Sequence, residues 1–126
     1  IDIATLTGAC VVALGELCAG IMGNNQKLVD QLIASGNAVG EKLWQLPLIE
    51  EYREDIKSPI ADVKNTGGRF AGTITAGLFL QEFVDPKIPW AHVDIAGPAF
   101  SEKDRCYVPR GGTGFLVRTI LHFLDQ

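Results

Sequence analysis

Apolar, β-branched runs alternate along this chain with longer stretches of helical periodicity. The segments IDIATL (1–6) and WAHVDIAG (90–97) are rich in Val, Ile and Thr, which is typical of strands buried in an α/β sheet. Strands separated by helices favour a mostly parallel sheet, because a parallel connection needs a crossover segment. The alternation therefore predicts the α/β class, with helices on both faces of the sheet.

The pattern predicts three strands and four helices. The strands lie at 1–6, 16–24 and 90–97. A helix capped by Asn24 or Asn25 is predicted to extend through Leu43 and to end at 44–47, because the residue before Pro47 is pushed towards extended geometry. Further helices are predicted at 50–57, at 71–84 and from about 112 to 124, with loops at 61–72 and 101–110. Residues 9–14 form either a short helix or a second apolar run.

Composition bounds the class of protein. A chain of 126 residues suits one domain, and 47% hydrophobic with 21% charged residues excludes a disordered tail. The net charge is −4, and no basic run or basic helical stripe occurs. Since a phosphate backbone is bound through clustered Lys and Arg, nucleic-acid binding is disfavoured.

Residues 3–23 are long and apolar enough to need a test for membrane insertion. Glu16 would lie deep in the hydrocarbon, several glycines interrupt the segment, and no cationic flank precedes it. A signal peptide fails for the same lack of basic residues. Short buried strands with a glycine-rich connection fit better, so no membrane partner is expected.

Cysteine and histidine spacing gives no metal site. Cys10, Cys18 and Cys106 form no CxxC pair, and we interpret them as small buried thiols of a reducing compartment. His92 and Asp94 are two residues apart on a strand, so they point to one face and could share a metal ion. Two ligands are not a site, and a buried, hydrogen-bonded pair is the favoured interpretation.

Two glycine-rich loops precede predicted helices. Residues 111–114 could bind an anion at a helix N-terminus, but they lack the lysine and hydroxyl of a P-loop, so a tight helix entry is favoured. In the loop 65–69, Arg69 could hold a carboxylate. The alternative for that loop is a turn that needs positive φ at glycine.

The segments 5–8 and 96–97 each follow an apolar strand. Open α/β sheets bind ligands at the carboxyl ends of their strands, and glycine there allows a close approach of backbone to substrate. From the residues alone, substrate lining and ordinary strand-ending turns both remain open.

Four segments resemble the leucyl aminopeptidase family, also called cytosol aminopeptidases. They are IDIATLTGA (1–9), ADVKNTGG with GRFAGTITAGLFLQEFV (61–84), WAHVDIAGPA (90–99) and GGTGFLVRTILHFL (111–124). The resemblance covers essentially the whole chain in the right order. It implies the C-terminal portion of a catalytic domain with three αβα layers and a mixed, mostly parallel sheet, spanning 1–126. The family signature NTDAEGRL does not occur in this sequence.

For the intact enzyme, the resemblance implies hydrolysis of N-terminal residues from peptides, with leucine favoured. Two divalent ions, zinc or manganese, would activate a hydroxide and polarise the scissile carbonyl, with bicarbonate as general base. The family is cytoplasmic and assembles as homo-hexamers. The metal ligands and catalytic groups lie in the family's upstream segments, so this segment is expected to bind no metal and to be inactive alone.

The residues that carry over are substrate-lining ones. Leu6 would present its backbone C=O to the scissile or leaving nitrogen, and Gly8 would donate its N–H to the carbonyl of the following residue. The pocket for the N-terminal side chain would be lined by Thr5, Gly8, Ala96 and Ala99. Ala99 replaces a bulkier residue of some relatives, and Thr66 would border the next subsite.

Two hypotheses follow. The first is an aminopeptidase of which this chain is one part. The second is a non-catalytic packing or assembly fragment of a split or truncated enzyme. The chain opens inside a predicted strand, and the nearly all-apolar helices at 71–84 and 113–124 need neighbours on several sides, which favours the first hypothesis.

Overall fold

A computed structural model describes residues 1–126 and places a four-stranded sheet at the centre of the fold. The strands, in chain order, are β1 (Asp2–Ala4), β2 (Cys18–Gly23), β3 (Lys42–Gln45) and β4 (Ala91–Asp94). Their order in the sheet is β1-β4-β2-β3, with β1 parallel to β4, β2 parallel to β3 and β2 antiparallel to β4. The predicted mixed, mostly parallel sheet is confirmed.

Helices cover both faces of this sheet. They are α1 (Gly8–Leu14), α2 (Gln26–Val39), α3 (Gly72–Gln81) and α4 (Val117–Leu124), with a 3-10 helix at Glu50–Ile56. On one face, α2 and α4 pack together over a core that includes Leu32, Val93 and Leu116. On the other face, α1 packs against α3, and Gly77 of α3 lies against Met22 of β2. These are the three αβα layers.

The helix predicted to extend through Leu43 is confirmed as far as Val39 and is wrong for its last four residues, 40–43. Gly40 adopts φ 76°, and the Glu41 N–H donates to the Gly36 carbonyl at 2.8 Å, so α2 ends at Val39. The following residues form β3, in which Leu43 is buried in the core. Leu43 continues the helical spacing of α2 only by coincidence. As the inward-facing residue of β3, it reaches the same core as the apolar side of α2.

The last helix begins later than predicted. Gly111–Gly112 form a short strand, β6, that pairs antiparallel with β5 (Phe100–Ser101). The backbone then turns through Leu116, which has φ 78°, before α4 starts. The start of the glycine run is therefore part of a hairpin, and the tight helix entry predicted at 111–114 is wrong.

Other predictions are confirmed with shorter bounds. The strand at 16–24 is β2, the helix at 71–84 is α3, and residues 9–14 form the helical alternative as most of α1. The helix predicted at 50–57 is a 3-10 helix that ends at Ile56, and Gly68, with φ 95°, makes the loop 65–69 a positive-φ turn. None of the helices combines the length and apolar character that crossing a bilayer requires.

Candidate functional site

The carboxyl ends of β1 and β4 lie side by side because the two strands are parallel neighbours. Ala4 is in register with Asp94, and the Ile95 N–H donates to the Ala4 carbonyl at 2.9 Å. The chain segments that follow each strand therefore begin next to one another. Five of the six predicted substrate-lining residues belong to these two segments or to the first residue of α1: Thr5, Leu6, Gly8, Ala96 and Ala99.

The carboxylate of Asp94 joins the two segments. Its side chain is fully buried. Oδ1 accepts the backbone N–H groups of Leu6 and Ala96, each at 3.1 Å, and Oδ2 accepts the hydroxyl of Thr7 at 2.7 Å. A buried carboxylate is stable only when such donors satisfy it, so these hydrogen bonds hold both segments on one group.

Thr7 connects the first segment to both helices of this face. Its hydroxyl oxygen accepts the Cys10 N–H at 3.0 Å, which caps the N-terminus of α1. The same oxygen lies 3.1 Å from the hydroxyl oxygen of Thr73 on α3. Because the proton of Thr7 is given to Asp94, Thr73 is the donor in that bond. The turn between β1 and α1 is thus fixed from three directions.

Two backbone groups of this turn remain without a partner in the chain. Neither the C=O of Leu6 nor the N–H of Gly8 makes a hydrogen bond to another residue. Gly8 is the first residue of α1, where N–H groups have no intrahelical acceptor. A β-carbon built on Gly8 would have no atom within 4 Å. Both groups are therefore free to bind a ligand.

A cleft of about 220 Å³ lies beside this turn. It brings together two predicted site residues, Leu6 and Thr66, but not Thr5, Gly8, Ala96 or Ala99. Its remaining lining comes from Thr7, the 3-10 helix, the loop 65–68 and α3, namely from Ile56, Asn65, Gly67, Gly68, Gly72, Thr75, Ala76 and Phe79.

Sequence reasoning missed most of these lining residues. Asn65 adjoins Thr66 in a loop that the sequence had marked as a candidate, so adjacency was an available signal. Ile56 and Phe79 carry no such signal, because only the packing of the 3-10 helix against α3 brings them to the cleft.

Two other sequence candidates have packing roles. Gly97 lies against the end of α1, where a β-carbon would be 2.1 Å from the Gly15 carbonyl oxygen. Its close approach is to backbone and not to a substrate. The Thr113 hydroxyl donates to the Pro98 carbonyl at 2.6 Å, and the Thr113 N–H donates to the Ala99 carbonyl at 3.0 Å. These bonds tie the glycine run to the segment after β4.

His92 and Asp94 are both buried, but they have separate partners. The Nδ1 of His92 hydrogen-bonds to Asp2, and the indole N–H of Trp90 donates to the same carboxylate at 2.6 Å. Burial alone would raise the pKa of Asp2, but the hydrogen bond and charge of His92, together with Trp90, hold that pKa below its ordinary value. The Nε2 of His92 is buried without a partner.

The residues of this chain do not provide a ligand set for a metal ion. No three His, Cys, Asp or Glu side chains come together in a geometry that could hold one.

The three cysteines are free thiols in different environments. Cys10 is buried, Cys18 is half-buried and Cys106 is exposed, so the prediction of buried thiols is wrong for Cys106. Burial, together with the nearby charge of Asp94, raises the pKa of Cys10 to about 11. Such a thiol stays protonated near neutral pH and is a poor nucleophile.

Comparison with known proteins identifies the class and then the family. The fold is that of an aminopeptidase catalytic domain. The family model "Cytosol aminopeptidase family, catalytic domain" matches residues 1–121. The chain belongs to the cytosol aminopeptidase family.

Curated relatives agree with this assignment. The chain is 58% identical to a probable cytosol aminopeptidase of Sulfurihydrogenibium sp., over 98% of the chain and 25% of that protein. It is 59% identical to a probable cytosol aminopeptidase of Persephonella marina, over the same shares. The chain thus spans about a quarter of the length of these relatives.

Solved structures share the fold. The bottromycin maturation enzyme BotP in complex with Mn superposes with a TM-score of 0.94 at 42% identity, covering 98% of this chain and 27% of that one. A lysine-to-glutamate mutant of tomato leucine aminopeptidase gives a TM-score of 0.90 at 43% identity, covering 96% of this chain and 23% of that one.

Proposed function

We propose that residues 1–126 form one wall of the substrate site of an aminopeptidase that removes N-terminal residues from peptides, with leucine favoured. The observation that carries this proposal is the pair of unpartnered backbone groups, the Leu6 C=O and the Gly8 N–H, at the meeting point of β1 and β4. A peptide substrate offers the complementary donor and acceptor, as an added strand offers them to a sheet edge.

In this proposal the two groups bind the substrate on the leaving-group side of the bond that is cleaved. The Leu6 C=O accepts the hydrogen of the scissile or leaving nitrogen. The Gly8 N–H donates to the carbonyl of the following residue. The two bonds fix the peptide's direction, so that only its N-terminal residue enters the pocket.

Small side chains would leave room for the N-terminal residue of the substrate. Thr5, Gly8, Ala96 and Ala99 line this pocket in the proposal, with Ala99 at its floor. Gly8 has open space where a β-carbon would be, which suits a group that lies against substrate. Thr66, which shares the 220 Å³ cleft with Leu6, borders the next subsite.

The chemical step is assigned to groups outside residues 1–126. The family relationship and the Mn complex of a relative support the use of divalent ions. The proposed ions are manganese or zinc, with bicarbonate as a further cofactor. The part proposed for residues 1–126 is to bind and orient the peptide.

We also propose that the intact enzyme is cytoplasmic and forms homo-hexamers. The relatives' description as cytosol aminopeptidases supports the location. Large apolar side chains such as Val12, Ile60 and Phe70 are more than four-fifths exposed, which supports burial against further protein surface. A non-catalytic packing fragment would show the same exposed apolar side chains. A measurement of enzymatic activity therefore has to decide between the aminopeptidase and the packing fragment.

The test uses the full-length protein that carries residues 1–126, with Mn²⁺ or Zn²⁺. We expect release of leucine from leucyl-glycyl-glycine and none from its N-acetylated form, because an aminopeptidase needs a free N-terminus. The 126-residue chain assayed in parallel should be inactive. A full-length protein that releases no amino acid with either metal would support the packing fragment instead.

A further inference from the structure

Asp94 is a buried carboxylate with no cationic partner. It has no exposed surface, and it takes part in none of the ion pairs of the chain. An apolar side chain at this position would avoid the cost of burying a charge. The carboxylate is satisfied instead by three donors, and all three come from the segments that follow β1 and β4.

Two of these donors flank the Leu6 C=O, one of the two groups proposed to bind the peptide. The N–H of Leu6 and the hydroxyl of Thr7 are both held by Asp94, so the peptide unit between them, which carries the Leu6 C=O, cannot rotate freely. Thr7 also caps α1, so the next peptide unit, which carries the Gly8 N–H, is held as well. The third donor fixes Ala96 on the opposite segment.

We propose that Asp94 is a positioning residue for substrate recognition, which aims the Leu6 C=O and the Gly8 N–H at the peptide backbone. This inference rests on the proposed function. Asp94 is fully buried, so in this proposal it acts on the substrate only through the backbone groups that it holds. Loss of this positioning should affect substrates unequally, because only a substrate with a carbonyl after the scissile bond uses the Gly8 N–H.

This difference between substrates provides a measurable quantity that would stay unchanged if Asp94 only stabilised the fold. Leucyl-glycyl-glycine has the carbonyl that the Gly8 N–H would bind, and leucine p-nitroanilide lacks it. The ratio of kcat/KM for the peptide to kcat/KM for the anilide does not depend on the fraction of active enzyme. A substitution that only unfolds part of the protein therefore leaves this ratio unchanged.

The experiment compares the full-length protein with Asp94→Ala, Asp94→Asn and a control, Val93→Ala. Val93 is buried on the same strand but faces the core under α2 and α4. We expect Asp94→Ala to lower the ratio about tenfold, the worth of one hydrogen bond. Asp94→Asn, which keeps an oxygen for the two N–H groups, should lower it less, and Val93→Ala should not change it.

A second pair of variants keeps the test independent of the folding of Asp94→Ala. Thr7→Val removes the hydroxyl bond to Asp94 together with the bonds to Thr73 and to the Cys10 N–H, and it should lower the ratio. Thr7→Ser keeps the hydroxyl and should keep the wild-type ratio. Ratios equal to wild type in Asp94→Asn and Thr7→Val would overturn the role of Asp94. A wild-type protein inactive towards both substrates would instead overturn the proposed function.

Discussion

Gly97 packs directly against the carbonyl oxygen of Gly15. A β-carbon at position 97 would lie 2.1 Å from that oxygen and 3.1 Å from its carbon. Gly15 ends α1 with φ 74°, so both partners in the contact are backbone. The segment after β4 and the end of α1 are therefore joined by a contact that tolerates no side chain.

Gly97→Ala is expected to destabilise the protein. A backbone atom cannot move aside as a flexible side chain can, so we expect a loss of about 3 kcal/mol in the free energy of unfolding, at the upper end of overpacking effects. Urea unfolding followed by circular dichroism measures it. Gly112→Ala is the matched control, since a β-carbon there meets no atom within 4 Å. Equal unfolding midpoints for the two variants would refute the contact.

Cys10 and Cys106 are expected to differ in reactivity. With its pKa raised to about 11 by burial, Cys10 is only about one thousandth thiolate at pH 8, and it is also inaccessible. Iodoacetamide at pH 8 should alkylate exposed Cys106 in the folded protein and leave Cys10 unmodified. In urea all three cysteines should react, which peptide mass spectrometry can quantify. Alkylation of Cys10 at the rate of Cys106 under folding conditions would contradict the buried position.

Asp2 is expected to contribute to acid sensitivity. His92 and Trp90 hold its pKa below the ordinary value of 3.8 in the folded state. A carboxyl with a lowered folded pKa stabilises the fold above its unfolded pKa, and this contribution is lost as the pH falls through the folded pKa. The contribution of Asp2 should therefore fade below about pH 4.

Melting temperatures between about pH 2 and pH 6 test this, with Asp2→Asn as the comparison. The asparagine variant should melt lower than wild type at pH 6, and the gap should close towards pH 2. A gap of constant size across the range would mean that the ionisation of Asp2 adds nothing to stability.

The order of strands and helices was largely predictable, because long periodic segments carry their own signal. β1, β2, β4 and α3 all followed from local pattern. β3 did not, because Leu43 continues the helical spacing and only the left-handed turn at Gly40 ends α2. β5 and β6 are two residues each, too short for any period, and they exist only through pairing with one another.

The site was predictable in part for a similar reason. Strand ends followed by Thr-Gly and Ala-Gly marked the segments where the unpartnered groups of Leu6 and Gly8 lie. The role of Asp94 was not visible, since its donors Leu6 and Thr7 are 88 and 87 residues away in sequence. His92 and Asp94 share a face, as expected, but only tertiary structure gives them different partners.

The most direct test of the account is the kinetics of Gly8→Ala in the full-length protein, beside Gly112→Ala. Both glycines have open space at the β-carbon position and neither needs positive φ, so both variants should fold. If Gly8 lies against the substrate, its added methyl should lower kcat/KM for leucyl-glycyl-glycine about tenfold or more, while Gly112→Ala remains at the wild-type value. Wild-type kcat/KM for Gly8→Ala would contradict the claim that the turn between β1 and α1 lines the substrate site.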